Sequence, residues 1–232
     1  MNHVNRLIFT VLFVVGYRFC RAENAKLTVQ LKSSGFHRDL EYAVVFPDLQ
    51  AKQHTFLIKQ PLPASVYVST DQLDDLSRFD KINYFIDKPF IDIEKPTEKS
   101  EPFHIHLFGT TAFLQTISLP VHFRYHQPGK KSFVTVNITY PELYVEVNED
   151  VPIPNDSKTT WMLCKDLRHR CKYIQVEYDN FSRKSLSANI PIGNANLSGK
   201  ITFATIALSW IACICIIFVI RKKYNSLKIK LK

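Results

Sequence analysis

Lys26-Leu27-Thr28-Val29-Gln30-Leu31-Lys32 alternates polar and apolar side chains without a break. Successive side chains of a strand point to opposite faces, so this stretch predicts a β-strand that buries Leu27, Val29 and Leu31. The same period of two recurs in Phe133-Val134-Thr135-Val136-Asn137-Ile138-Thr139, in Leu143-Tyr144-Val145-Glu146-Val147 and in Lys172-Tyr173-Ile174-Gln175-Val176-Glu177-Tyr178. Phe103 to Phe108 and Val121 to His126 add two further strands. Turn formers such as Gln60-Pro61-Leu62-Pro63 and Gln127-Pro128-Gly129-Lys130 cut the chain at short intervals. Only Asp71-Gln72-Leu73-Asp74-Asp75-Leu76 reads as a helical turn. These patterns predict a mainly β, antiparallel, sandwich-like domain over residues 23–184.

The two ends of the chain read differently. Arg6 precedes the apolar run Leu7 to Val15, and Cys20-Arg21-Ala22 offers a cleavage site, so residues 1–22 are expected to be a signal peptide. Residues 185–200, rich in Asn, Ser and Gly, read as a lumenal stalk. From Ile201 to Ile220 no residue is charged, and twenty helical residues cover the roughly 30 Å of a hydrocarbon core. Arg221-Lys222-Lys223 follow and are expected to hold residues 221–232 in the cytosol. The layout predicted is a single-pass type I membrane protein. A glycolipid-anchor signal would end on its apolar tail, whereas a basic segment follows here. Lys228 and Lys230 have the spacing of a dilysine retrieval signal to the endoplasmic reticulum; a generic basic juxtamembrane tail is the other reading.

The 232 residues carry 30 Lys+Arg against 21 Asp+Glu, a net charge of +9. Three of the unbalanced cations lie in residues 1–22 and six in residues 221–232, so residues 23–200 are neutral by count. No nucleic-acid partner is expected from that distribution. Cys164 and Cys171 are the two cysteines of the β domain, with six residues between them, and an oxidising lumen predicts a disulfide between them. Sequons for N-glycosylation occur at Asn137, Asn155, Asn180 and Asn196, of which Asn155 sits in the most turn-like segment.

Catalytic motifs are weak. His37-Arg38-Asp39-Leu40 spells the opening of a kinase catalytic loop, but Val44 stands where that motif needs Asn. His104 and His106 share one strand face, as do His122, Arg124 and His126, and two such pairs on neighbouring strands are the pattern a metal site needs. Phe103, Ile105, Leu107, Val121, Phe123 and Tyr125 occupy the opposite faces, so the histidines read as polar outward sides. No catalytic residue, metal site or cofactor is expected. The competing classes are a receptor or adhesion module of type I layout and a lumenal hydrolase or metal-dependent enzyme.

Three blocks carry a family resemblance: Gly35-Phe36-His37-Arg38-Asp39-Leu40; Gln60 to Val68 followed by Asp71-Gln72-Leu73; and Leu119 to Pro128, with Tyr140-Pro141-Glu142-Leu143 beyond it. In order and spacing they resemble the signature blocks of the PIG-X family. The resemblance implies a non-catalytic subunit of glycosylphosphatidylinositol (GPI) mannosyltransferase I. Its implied partner is PIG-M, the multispanning subunit that transfers the first mannose from dolichol-phosphate-mannose on the lumenal side of the endoplasmic reticulum. On that reading the candidate contact residues are His37, Arg38 and Asp39 with His122, Arg124, Tyr125 and His126. In the membrane, Thr205, Ser209 and Cys213 recur every four residues as a small polar stripe suited to helix packing.

Overall fold

The computed structural model describes residues 25–47, 54–111, 114–148, 158–178 and 185–230, with side chains described as far as Tyr224. The signal segment, Asn155 and Asn180 lie outside the described residues, as do the side chains of Lys228 and Lys230. In chain order the strands are β1 (Lys26–Lys32), β2 (His37–Val45), β3 (Thr55–Leu62), β4 (Val66–Tyr67), β5 (Tyr84–Ile86) and β6 (Phe103–Thr110). They continue with β7 (Gln115–Phe123), β8 (Phe133–Thr139), β9 (Glu142–Glu146), β10 (Thr159–Leu163), β11 (Arg170–Val176) and β12 (Ser185–Pro191). Helix α1 (Thr70–Arg78) follows β4, and α2 (Ser198–Lys230) ends the chain.

The strands form a four-stranded sheet ordered β1-β2-β7-β4, a six-stranded sheet ordered β10-β11-β9-β3-β6-β5, and the pair β12-β8. The pairings between these strands are antiparallel. One core joins all three: Leu27, Val29, Leu40, Tyr42 and Val44 from the first sheet meet Phe56, Ile58, Ile105, Leu107 and Val145 from the second. Val136, Ile138, Ala188 and Ile190 of the β8–β12 pair complete it. A fully buried amide ties the layers together. Tyr42 Oη donates to Gln60 Oε1 at 2.9 Å, and Gln60 Nε2 donates to the carbonyls of Pro61 and Thr139 at 2.8 Å. Tyr42, Gln60 and Thr139 lie on three different sheets, so this single side chain satisfies groups that would otherwise be stranded in apolar surroundings.

β3 does not alternate, because Phe56, Leu57 and Ile58 are all buried. Its outer face is covered by a second apolar cluster of Leu57, Phe108, Tyr144 and Tyr173, flanked by Phe85, Met162 and Cys171. The Cys164–Cys171 disulfide closes the β10–β11 turn beside it, as the spacing predicts. Within that turn Asp166 accepts the Arg168 N–H at 3.0 Å and meets His169 Nδ1 at 2.8 Å, contacts that hold its carboxyl below the usual range.

Three expectations need correction. The strand expected from Val121 to His126 runs instead from Gln115 to Phe123, and Pro120 sits inside it. The stretch expected as a stalk from Ser185 is strand β12 as far as Pro191, with Ala188 and Ile190 in the core. Its small polar residues occupy the outward positions of that strand, which is why composition alone suggests a linker. Helix α2 outruns the expected 201–220 at both ends; its 33 residues extend about 50 Å. It is long and apolar enough to cross a membrane, and none of its apolar stretch is buried among the described residues.

Candidate functional site

The three sequence blocks converge at one end of the four-stranded sheet. β2 pairs with β7 so that His37 stands opposite His122, and β4 pairs on the other side so that Tyr67 stands opposite the same residue. The imidazoles of His37 and His122 meet edge to face at 4.4 Å, while Tyr67 stacks on His122 at 5.0 Å. His122 Nε2 lies 3.1 Å from Gln72 Oε1, a geometry in which the ring donates from Nε2 to an amide carried by α1. Ser69 caps that helix by accepting the Gln72 N–H, and Leu73 anchors it in the core. Burial, and then the neighbouring His37, push the His122 pKa down; Asp39 opposes them, and the net effect favours a neutral ring.

Arg124 continues β7 beyond its last paired residue. It is only 6% exposed. Nη1 donates to the carbonyls of Asp92 and Lys95, both at 2.7 Å, and the guanidinium lies 4.9 Å from the centre of the Tyr67 ring. Its job in the fold is therefore to pin the loop 91–96 against the sheet. Tyr125, by contrast, is 76% exposed, with its ring 4.9 Å from Phe36. A cleft of about 270 Å³ opens here, lined by Tyr67, Ile93, Lys95, Pro96, Phe123 and Tyr125. Arg38 lies on the other face of β2: its guanidinium is 5.2 Å from the Phe123 ring centre, and Nε donates to the Gly35 carbonyl at 3.1 Å. Gly35 takes φ +85° in the β1–β2 turn, a conformation open to glycine.

The expected contact residues thus divide. His37, His122 and Tyr125 meet or flank the exposed cluster, and Asp39 lies two residues along the His37 strand face. Arg124 is buried, Arg38 turns to the sandwich end, and His126 is half-buried with a Nδ1 that has no hydrogen-bond partner among the described residues. Tyr67, Gln72 and Phe36 belong to the cluster although alternation alone gives no reason to select them; their presence in the same blocks was the available signal. Thr205 and Ser209 are exposed on α2, each hydroxyl donating to the carbonyl four residues earlier. Asn137 is exposed on β8, and Asn196 lies in the short 3₁₀ turn before α2.

The second histidine face is elsewhere. β6 lies in the six-stranded sheet and β7 in the four-stranded one, so the two histidine pairs are not on neighbouring strands. His104 Nδ1 pairs with Asp87 at 2.9 Å. His106 is not a simple outward polar residue: it sits half-buried beside Phe85, and neither ring nitrogen has a hydrogen-bond partner among the described residues. Among the described residues, no three His, Cys, Asp or Glu side chains come together as a metal-binding group.

Comparison with known proteins finds relatives over most of the chain. The chain is 27% identical over 213 residues to the GPI alpha-1,4-mannosyltransferase I stabilizing subunit of Homo sapiens, covering 86% of this chain and 80% of that one. It is 25% identical over 212 residues to the Mus musculus protein of the same name, with coverages of 86% and 82%. These relatives are named as accessory subunits, not as the catalytic one. Residues 33–221 match the family model described as PIG-X / PBN1, and the chain belongs to that family.

Proposed function

We propose that this protein is the stabilising, non-catalytic subunit of GPI mannosyltransferase I, and that it binds the multispanning catalytic subunit PIG-M in the endoplasmic reticulum membrane. The sandwich is lumenal, α2 spans the bilayer, and the basic tail with Lys228 and Lys230 is cytosolic and serves retrieval. In this role the chain supports transfer of the first mannose of the GPI anchor without touching the chemistry.

The observation that carries the reading is where the three blocks meet. Gly129, seven residues beyond His122, is bridged to Asn194, four residues before α2 begins. Seven residues span at most about 25 Å, so the His37–Tyr67–His122 cluster lies within that reach of the chain's exit toward α2. A tethered domain presents such a cluster to the lumenal loops of a neighbouring polytopic protein at high effective concentration. Thr205 and Ser209 offer a small-residue stripe to one of its helices.

Deletion of the gene, followed by measurement of PIG-M protein and of the mannosylated GPI intermediate, tests the proposal. Both fall if the chain is a stabiliser, and extra PIG-M partly restores the product. Unchanged PIG-M with full surface GPI anchors defeats it.

A further inference from the structure

The segment after the cluster leads to the membrane in a defined way. Gly129 N–H donates to Gly193 O at 2.9 Å, Ala195 N–H donates to Gly129 O at 3.0 Å, and Ile192 N–H donates to Ser132 O at 3.0 Å. A side chain at Gly129 would crowd Ile192, since a Cβ there would stand 3.0 Å from Ile192 Cδ1. The turn 128–133 is thereby laced to 192–195, the exit toward α2. From Ala195 to Ile201, where the uncharged run starts, the chain rises about 10 Å through one 3₁₀ turn and one helical turn. The headgroup layer is itself roughly 5–8 Å thick, so this turn stands at its edge.

Its chemistry matches that location. Residues 124–133 and 191–200 contain Arg124, Lys130, Lys131 and Lys200 and no acid. The lysines are exposed, as are Phe133 at 57% and Leu197 at 44%. Glu98, the carboxylate held against this segment, is occupied by the Gln127 N–H at 2.7 Å. Phe133 opposes Pro191 at the end of the β8–β12 pair nearest the exit. We propose that the turn 128–133, together with Leu197 and Lys200, seats the sandwich on the headgroup layer of the bilayer. Phe133 and Leu197 enter the interface, and Lys130, Lys131 and Lys200 bind anionic lipid phosphates. The occupant is lipid, not the catalytic subunit, because the exit lacing holds this edge at headgroup depth whether or not a partner is present. The inference rests on α2 crossing the membrane.

The test uses the full chain in nanodiscs containing phosphatidylinositol and phosphatidylcholine, with Cys20, Cys213 and Cys215 replaced by alanine. A fluorophore is placed in turn through Ser132→Cys, Ser185→Cys and Leu208→Cys, and lipids bearing a nitroxide serve as the quencher. Ser185 lies at the opposite end of β12, about 20 Å away. Labels at 208 and 132 are quenched and the label at 185 is not. Quenching at 208 with none at 132 overturns the seating while leaving the span intact, and is the result expected if the turn is reserved for a protein partner. No quenching at 208 removes the span, and the proposal with it. Reversing Lys130 and Lys131 to glutamate lowers quenching at 132 about twofold in anionic discs and leaves neutral discs unchanged. Equal behaviour in both lipids overturns the phosphate contact.

Discussion

The outer face of β6 carries His104 and His106 and that of β7 carries His122, yet the two faces have different surroundings. On the six-stranded sheet, His106 lies beside Phe85 next to the Leu57–Phe108–Tyr144–Tyr173 cluster, and its ring makes no hydrogen bond to the described residues. On the four-stranded sheet, His122 stacks on Tyr67, meets His37 and reaches Gln72. One imidazole is half-buried between Phe85 and charged neighbours such as Lys59, while the other is built into a polar and aromatic array beside an open cleft. Alternation in sequence tells which face a side chain takes; it does not tell what covers that face.

The largest effect expected from breaking the difference is at Arg124. Arg124→Ala strands the carbonyls of Asp92 and Lys95 and removes the cation over Tyr67. It should cost about 3 kcal/mol, with Arg124→Lys intermediate. Thermal unfolding of the detergent-solubilised chain measures this, and a loss under 1 kcal/mol shows that the loop 91–96 holds itself. The equivalent deletion on the other sheet has no such consequence, because His106 holds no backbone group.

Acid should act next, and on the other face. Burial, with Lys59 adding to it, lowers the His106 pKa from 6.5 to about 4. Between those values the unfolded chain binds a proton that the folded chain refuses, so stability is complete above pH 6.5 and falls as pH drops toward 4. Allowing for partial solvent screening, the loss is about 2 kcal/mol. His106→Leu should flatten that part of the pH profile and raise neutral-pH stability by about 1 kcal/mol, because two buried ring nitrogens without hydrogen-bond partners are removed. A leucine variant that is destabilised at both pH 7 and pH 5 indicates instead that the imidazole is paired within the chain.

How far the sequence could be read follows the same divide. β1 and β8 are legible residue for residue, since one face is core and the other solvent. β3 is not, because Phe56, Leu57 and Ile58 are covered on both sides and alternation vanishes. β12 is hidden for the opposite reason: only Ala188 and Ile190 mark its buried side, among Ser, Asn and Pro. β2 is masked by a motif-like His37-Arg38-Asp39-Leu40 that turns out to be edge-to-core alternation. At the candidate site, composition indicates the polar face of β7, but Tyr67 and Gln72 reach it only through pairings between distant segments. Arg124 looks like its outward neighbours, and its burial depends on a loop 29 to 32 residues away.

The smallest effect on stability is expected where the effect on function should be greatest. His122→Ala removes one side-chain hydrogen bond and two ring contacts from a half-exposed position, a loss of about 1 kcal/mol. If the cluster only fastens β4 and α1 to the sheet, co-purification of the catalytic subunit should decline no more than that loss of folded chain explains. If it is a recognition surface, a folded and abundant His122→Ala chain should still lose its partner. His122→Gln retains the possibility of a hydrogen bond to Gln72 but not the stack on Tyr67, and should recover less binding than stability. Comparing partner yield with unfolding temperature for Ala and Gln at 122, and for Phe at Tyr67, separates the roles: a single proportional relation means fastening, and binding lost at unchanged stability means contact. His106→Leu is the internal reference, since it alters the opposite sheet and should leave partner yield unaffected.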